Sequence, residues 1–509
     1  MRLIIPTLAF SLFGLAAAAQ TPDDAIRNSY QIQQGTARIM AVGGAVGSLG
    51  GDITAANVNP AGLGFYKTGE LVLSGGFNMR NNSFDFRGTG QKTNTTNIGY
   101  GASGLVFGWA SQTKPRNSTA FSISINQTAN FNNHVEYTGL NNVSSFSEQY
   151  LEELAANKAD VNAAENNFAF GSSLAFNTYL VDTTTIGGSP GFVSYVPLST
   201  GVIQHNIIDT KGGINEITLG LASNQNDKFY IGGSIGIPIY SYTKDQTYTE
   251  TDATNNANNN FDHFTYTEHY TSSGAGVNAK IGIIYKPADR VRLGFAFHTP
   301  TFATMEDKIT SAMTTNTEGF HGVQTWTSDE IRGSAGPGDY KYTMTTPMKV
   351  LVSGSYVFNE VKDVRRQKAF ITADVEYVPH QATRYDVTSD GTQDDKNYYN
   401  SLNDVIKERY KGVWNARVGG EMKFTTVYAR AGFAYYGNPY SDAALKNNSR
   451  TLVSGGLGYR NHGIFIDLTY IYTMKKDTNI PYYLADKANT FAVGNNNVGN
   501  VMLTFGVKF

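Results

Sequence analysis

The 509-residue chain contains no cysteine. That absence excludes disulfides, thiolate metal sites, a cysteine nucleophile and an N-terminal lipidated cysteine. Charge is also scarce: 40 Lys+Arg stand against 42 Asp+Glu, only 16% of residues, for a formal balance of −2. Nothing in that balance favours nucleic acid. Beyond the first twenty residues no apolar run is long enough to form a membrane helix, which excludes a helical membrane protein. The eight histidines, His134, His205, His263, His269, His298, His321, His380 and His462, are scattered, and no HExxH, GxSxG or Walker-type spacing occurs. A Ser, His and Asp or Asn brought together across strands stays open, yet no catalytic set, metal site or cofactor is expected. What the chain has in quantity is 53 Gly, 31 Tyr and 29 Phe, with much Asn and Thr, a composition suited to strands and turns.

The N-terminus carries Arg2, an apolar stretch from Leu3 to Leu15, and Ala16 to Ala19 before Gln20. This is the pattern of a secretory signal peptide over residues 1–19. The alternative, a membrane-spanning helix, is opposed by Pro6, Thr7, Ser11 and Gly14 and by the shortness of the run.

The rest alternates at period two in segments of about ten residues, the signature of a transmembrane β-barrel. At the C-terminus Val501, Leu503, Phe505, Val507 and Phe509 project to one side, and Met502, Thr504, Gly506 and Lys508 to the other. In the preceding segment Ile464, Ile466, Leu468, Tyr470 and Tyr472 share a face opposite Asp467 and Thr469, which places Asp467 in water inside the barrel. A secreted β-sandwich or solenoid shares this alternation and is the competing architecture. Fourteen strands are predicted, near 70–86, 98–111, 118–132, 203–223, 228–250, 262–285, 290–311, 340–357, 368–385, 410–422, 425–437, 450–459, 463–475 and 496–509. Short links at 111–117, 224–227, 286–290, 423–426 and 460–463 alternate with long polar ones at 133–202, 312–339, 386–409 and 476–495. Short turns belong to the periplasmic side and long loops to the outside. Helical spacing of Phe146, Tyr150, Leu151 and Leu154 predicts two helices within 144–181, and a further short one is expected over 401–410. The Asn-rich tip 252–262 lacks the ligand spacing of a calcium loop.

Residues 35–68, GTARIMAVGGAVGSLGGDITAANVNPAGLGFYKT, are too poor in bulky side chains to form a core, so a barrel lumen must house them. With Asn59, Pro60 and Ala61 followed by Gly62 and Leu63, this stretch resembles the hatch of the FadL-type outer-membrane transporters of long-chain fatty acids and other hydrophobic compounds. The resemblance implies an all-β, fourteen-strand plugged barrel: signal peptide 1–19, hatch 20–68, barrel 69–509. It implies passive uptake by a monomer in the outer membrane of a Gram-negative-type bacterium. A hydrophobic small molecule would be captured at helical outer loops and released sideways through the wall. Asn59, Pro60 and Ala61 would sit against a lateral gap made by a kink within Ser118–Phe131, although that strand has no Gly or Pro. A plain turn is the simpler role for the tripeptide. Phe146, Tyr150, Phe168, Phe170 and Phe176 are the loop aromatics proposed to touch ligand, or else to pack the loop itself. The terminal Phe509 resembles the signal read by the outer-membrane assembly machinery, and membrane lipids would surround the wall. The alternatives are a haemin receptor, with His263 and His269 as candidate ligands, and a non-transporting partner in secretion or surface attachment.

Overall fold

The computed structural model of the protein describes residues 21–333, 338–358, 368–389, 391–441 and 448–509. The expected signal peptide, 1–19, lies outside the described residues. Fourteen antiparallel strands close into one barrel: β1 (Glu70–Phe86), β2 (Thr89–Tyr100 and Ser103–Ala110), β3 (Ser118–Asn130 and Asn133–Asn141), β4 (Val202–Gln225), β5 (Phe229–Asp252), β6 (His263–Ala288), β7 (Val291–His298 and Phe302–Asn316), β8 (Gly338–Thr345 and Lys349–Phe358), β9 (Ala369–Pro379 and Arg384–Val387), β10 (Gly412–Phe424), β11 (Val427–Tyr436), β12 (Arg450–Asn461), β13 (Ile464–Asn479) and β14 (Ala492–Lys508). The first strand closes on the last, from Glu70↔Lys508 to Asp85↔Val493. Closure pairs the first strand with the last, so neither end of the sheet is left as an edge to lipid, the condition for a sheet to cross a bilayer.

The alternation fixes which side chains face out. On β5, Phe229, Ile231, Ile235, Ile237 and Ile239 are exposed on the outer face, whereas further along that face the chain carries Ser241, Thr243 and Asp245. The apolar part of this strand, 229–239, covers ten steps of about 3.3 Å each and, tilted by roughly 40°, is about 25 Å tall. Trp109, Tyr285, Tyr356, Phe424, Tyr459 and Phe509 are exposed at its short-turn end. At the other end Trp414 packs on Tyr377 with ring centroids 4.9 Å apart. These are the two aromatic rims expected at membrane–water boundaries.

Several expectations are corrected above the apolar belt. There β2 begins at Thr89 rather than 98, and β3 runs on to Asn141 rather than ending at 132. Both faces are wet at that height, so polar residues occupy both and the period-two signal vanishes. The outer connection after β3 is shorter than expected and holds three helices, α4 (Glu148–Ala156), α5 (Val161–Asn166) and α6 (Ser172–Asn177), plus a hairpin of Val181–Ile186 with Ser189–Ser194. The helix expected at 401–410 spans Gln393–Arg409, because Thr392 caps it by accepting from Asp395 N at 3.1 Å. Strands β7, β8 and β9 are each interrupted beside a proline, Pro300, Pro347 and Pro379, which supplies no ladder N–H.

Asp467 faces inward as expected, but no water surrounds it: it is fully buried, with Oδ1 2.5 Å from Arg430 Nη1. Arg430 also bonds Glu421 at 2.6 Å, and Glu421 lies 3.5 Å from Arg38 of the N-terminal segment. Burying these charges is tolerable only because each has an opposite partner.

The N-terminal segment fills the lumen as α1 (Pro22–Ser29), α2 (Ala37–Ala41), α3 (Ala55–Val58) and a 3₁₀ turn over Pro60–Phe65. Its backbone reaches the wall where the wall has glycine: a Cβ on Gly432 would stand 2.0 Å from Gly43 N, and one on Gly419 2.3 Å from Val42 O.

Candidate functional site

Between β2 and β3 the backbone ladder is confined to the short-turn end, from Ala110↔Ser118 to Ser103↔Ile125. Above it the two strands part. Thr89–Tyr100 is paired with β1 and Asn133–Asn141 with β4, and among the described residues no ladder joins the facing edges. The parting has local causes. Gly101 and Ala102 interrupt β2, Phe131 and Asn132 interrupt β3, and the register of β3 against β4 slips between Gln127 and Ala129. Exposed Phe77 and Ile98, a cross-strand pair, mark the top of the apolar belt here, so the gap opens in the upper part of that belt.

Side chains rather than backbone bridge the gap. Asn130 Nδ2 donates to Asn97 Oδ1 at 3.1 Å, Tyr100 N to Gln127 Oε1 at 3.4 Å, and Thr93 Oγ1 to the carbonyl of His134 at 2.8 Å. A cavity of about 30 Å³ lies against it, bordered by Gln34, Asn78, Gly99, Tyr100, Gln127, Asn130 and Asn500.

A second cavity, of about 90 Å³, occupies the lumen beside the N-terminal segment. Its wall includes Glu216, Lys280, His298, Lys349, Glu376 and Arg417. Lys280 Nζ lies 2.5 Å from Glu216 Oε1, Arg417 Nη2 lies 3.4 Å from Glu376 Oε2, and His298 Nε2 is 2.7 Å from the carbonyl of Val58. Gln34 borders both cavities. Its carbonyl accepts from Asn126 Nδ2 at 3.3 Å and from Gln33 Nε2 at 2.7 Å, so this one stretch of backbone separates the lumen from the gap. No sequence signal singled out Gln33 and Gln34; a polar pair just before the small-residue stretch was the only trace.

Asn59, Pro60 and Ala61 lie elsewhere. Asn59 Nδ2 donates to the carbonyls of Gly47 (2.6 Å), Ile283 (3.2 Å) and Phe295 (3.4 Å), and its Oδ1 accepts from Ala61 N at 3.2 Å. A Cβ on Gly232 would meet the Pro60 carbonyl carbon at 2.5 Å. The tripeptide therefore fastens the segment to β5, β6 and β7, away from the β2–β3 gap.

The loop aromatics divide. Phe146, Tyr150 and Phe170 are buried. Phe146 packs between Tyr248 at 4.4 Å and Tyr266 at 5.4 Å, with Tyr482 at 5.8 Å, which is the packing of the loop itself. Phe168 and Phe176 are only partly buried at the edge of that cluster. The loop is held down by Glu250, whose carboxylate accepts from Phe146 N (2.8 Å), Ser145 Oγ (2.5 Å), Gln204 Nε2 (2.7 Å) and Tyr248 Oη (3.1 Å). Burial pushes this carboxyl up to about 7 despite those donors.

Phe509 is exposed on the outer face, and its backbone pairs with Gly69. His263 and His269 both point away from the lumen, His263 2.9 Å from Asp262 and His269 2.6 Å from Asp245. Six residues of strand put them about 20 Å apart, too far to share one iron.

No protein-family model and no curated protein matches the chain. Solved structures do. A FadL homologue from Pseudomonas aeruginosa aligns over 94% of this chain and 99% of its own, with TM-score 0.56 and 14% identity. The toluene transporter TodX of P. putida aligns over the same shares with TM-score 0.51 and 12% identity. The likeness is one of fold: this chain has the barrel architecture of the FadL homologue over nearly its whole length.

Proposed function

We propose that the protein is an outer-membrane channel for passive uptake of hydrophobic small molecules, long-chain fatty acids among them, with Gln34 and Gly35 as its lateral gate. The observation that carries this reading is the position of Gln34 between a lumen cavity and a break in the wall in the upper part of the apolar belt. The apolar belt and its aromatic rims support an outer-membrane setting, and the solved FadL homologue and toluene transporter share the fold. Cargo would enter past the loop edge at Phe168 and Phe176 and reach the lumen cavity at Ile214 and Tyr240, which belong to a buried cluster with Met305, Tyr342, Met344 and Tyr385 packed against the N-terminal segment. It would leave sideways when Gln34 and Gly35 move off the gap. An apolar molecule gains most from a path that ends in lipid rather than in water. The residues 20–68 act as the hatch, anchored by Asn59, Pro60 and Ala61 and movable at the opposite side. The chain is a conduit and not a catalyst.

Because the chain has no cysteine of its own, the gate can be tested by a single pair. In Gln34→Cys with Asn126→Cys, oxidation should stop uptake of a radiolabelled apolar tracer and reduction should restore it. Equal uptake in the oxidised and reduced protein would remove the gate from this position.

A further inference from the structure

The short-turn end of the barrel carries positive charge that no internal partner neutralises. Lys114, Arg116, Lys228, Arg290 and Lys368 are exposed there and make no ion pair among the described residues. Of the side-chain carboxylates in the described parts of these turns, Asp227 holds Lys67 at 3.2 Å, which leaves Asp289. The opposite end has the opposite sign: the outer connection 142–201 carries Glu148, Glu152, Glu153, Asp160, Glu165 and Asp182 against Lys158 alone. A chain whose charges nearly cancel overall is thus polarised along the barrel axis.

These cations are held at one height. The carbonyl of Arg116 accepts from Asp227 N at 3.0 Å, that of Lys228 from Lys286 N at 2.8 Å, that of Arg290 from Val357 N at 2.8 Å and that of Lys368 from Lys423 N at 2.8 Å. Each therefore stands on the last backbone bond between its own turn and the neighbouring strand. From the turn after β2 to the turn before β9 the row covers six strand spacings, about 40 Å of wall. Each turn is also flanked by an exposed aromatic: Trp109 before Arg116, Phe229 after Lys228, Tyr285 before Arg290 and Phe358 before Lys368. Such aromatics settle at the level of the head groups, so the row lies just beyond them, where lipid phosphates stand.

We propose that Lys114, Arg116, Lys228, Arg290 and Lys368 bind the phosphates of anionic glycerophospholipids in the membrane leaflet at the short-turn end. A soluble acidic protein is the other partner that such charge attracts. A row at constant height, rimmed by membrane-facing aromatics and running round almost half of the wall, matches a bilayer surface rather than the compact patch of a protein interface. Guanidinium and ammonium groups there gain charge-assisted hydrogen bonds to phosphate. The inference rests on the membrane setting of the barrel and not on its cargo.

The test is electron paramagnetic resonance of the purified barrel in phosphatidylcholine vesicles doped with spin-labelled phosphatidylglycerol or spin-labelled phosphatidylcholine. The association constant at the protein surface should be about threefold higher for phosphatidylglycerol. A variant carrying Arg116→Gln, Lys228→Gln, Arg290→Gln and Lys368→Gln should lose that preference. A control carrying Lys92→Gln, Lys158→Gln, Lys396→Gln and Lys407→Gln, all exposed at the outer end, should keep it, both proteins still shifting in mobility on heating as folded barrels do. Equal restriction of the two lipids by the wild type would overturn the proposal and give the row to a soluble acidic partner. A preference that survives in the first variant, or is lost in the control, would overturn it as well.

Discussion

Gly101 of the wall and Gly35 of the N-terminal segment meet backbone to backbone: a Cβ on Gly101 would stand 2.1 Å from the Gly35 carbonyl oxygen. Gly101 also lies just beyond the end of the ladder between β2 and β3, so the gap and the stretch that covers it meet there as well as at Asn126, which bonds the Gln34 carbonyl. A side chain there must push Gly35 inward or push β2 outward, and either movement opens the wall. Gly101→Val is therefore expected to raise ion conductance in planar bilayers several-fold while the barrel still closes. Wild-type conductance in a correctly folded variant would show that the contact does not hold the gate.

Asn59 works at the other side of the lumen, where one buried carboxamide serves three carbonyls and one amide. Asn59→Ala leaves those groups without a partner, at a cost of about 1–3 kcal/mol, and loosens the segment from β6 and β7. Hydrogen exchange should speed up over residues 45–65 and stay unchanged in the wall strands. Unchanged exchange in 45–65 would make the tripeptide a mere turn.

Glu250 gives the outer loop a pH dependence of definite sign. Its carboxyl rises from an ordinary 4.5 to about 7 in the folded loop, so between those values the folded state holds more protons than the unfolded one. Stability is then fullest below about pH 4.5 and falls as pH rises toward 7, by up to about 1.4 kcal/mol per pH unit. Peptide-level hydrogen exchange over residues 142–201, corrected for intrinsic rates, should show weaker protection at pH 8 than at pH 5, and Glu250→Gln should flatten that difference. A variant with the wild-type pH dependence would place its origin elsewhere.

Neighbouring positions on β13 separate the two faces of the wall. Leu468 is exposed toward lipid, and Leu468→Arg should cost about 2–4 kcal/mol if it lies near the midplane. Asp467 points the other way, and Asp467→Ala removes one of the two carboxylates that hold the buried Arg430 while Glu421 remains, a loss of about 1.5–3 kcal/mol. Denaturant unfolding of the barrel in liposomes measures both. A neutral Leu468→Arg would contradict the lipid-facing assignment.

The sequence by itself determined which residues face lipid, because in a strand the side-chain direction follows from position alone: Ile464, Ile466 and Leu468 against Asp467 needed no knowledge of distant residues. It determined as well that the small-residue stretch from Gly35 onward needs a housing, since so few bulky side chains cannot bury a core. The gap between β2 and β3 was beyond its reach. It arises from a register slip at Gln127 and a break at Gly101, two positions that read locally as ordinary strand. The hatch contact was also hidden, since Gln34 and Asn126 are 92 residues apart and only closure of the barrel brings them together. Pairing is a property of the assembled lumen, fixed by which strands stand opposite one another, and period-two alternation carries no information about that.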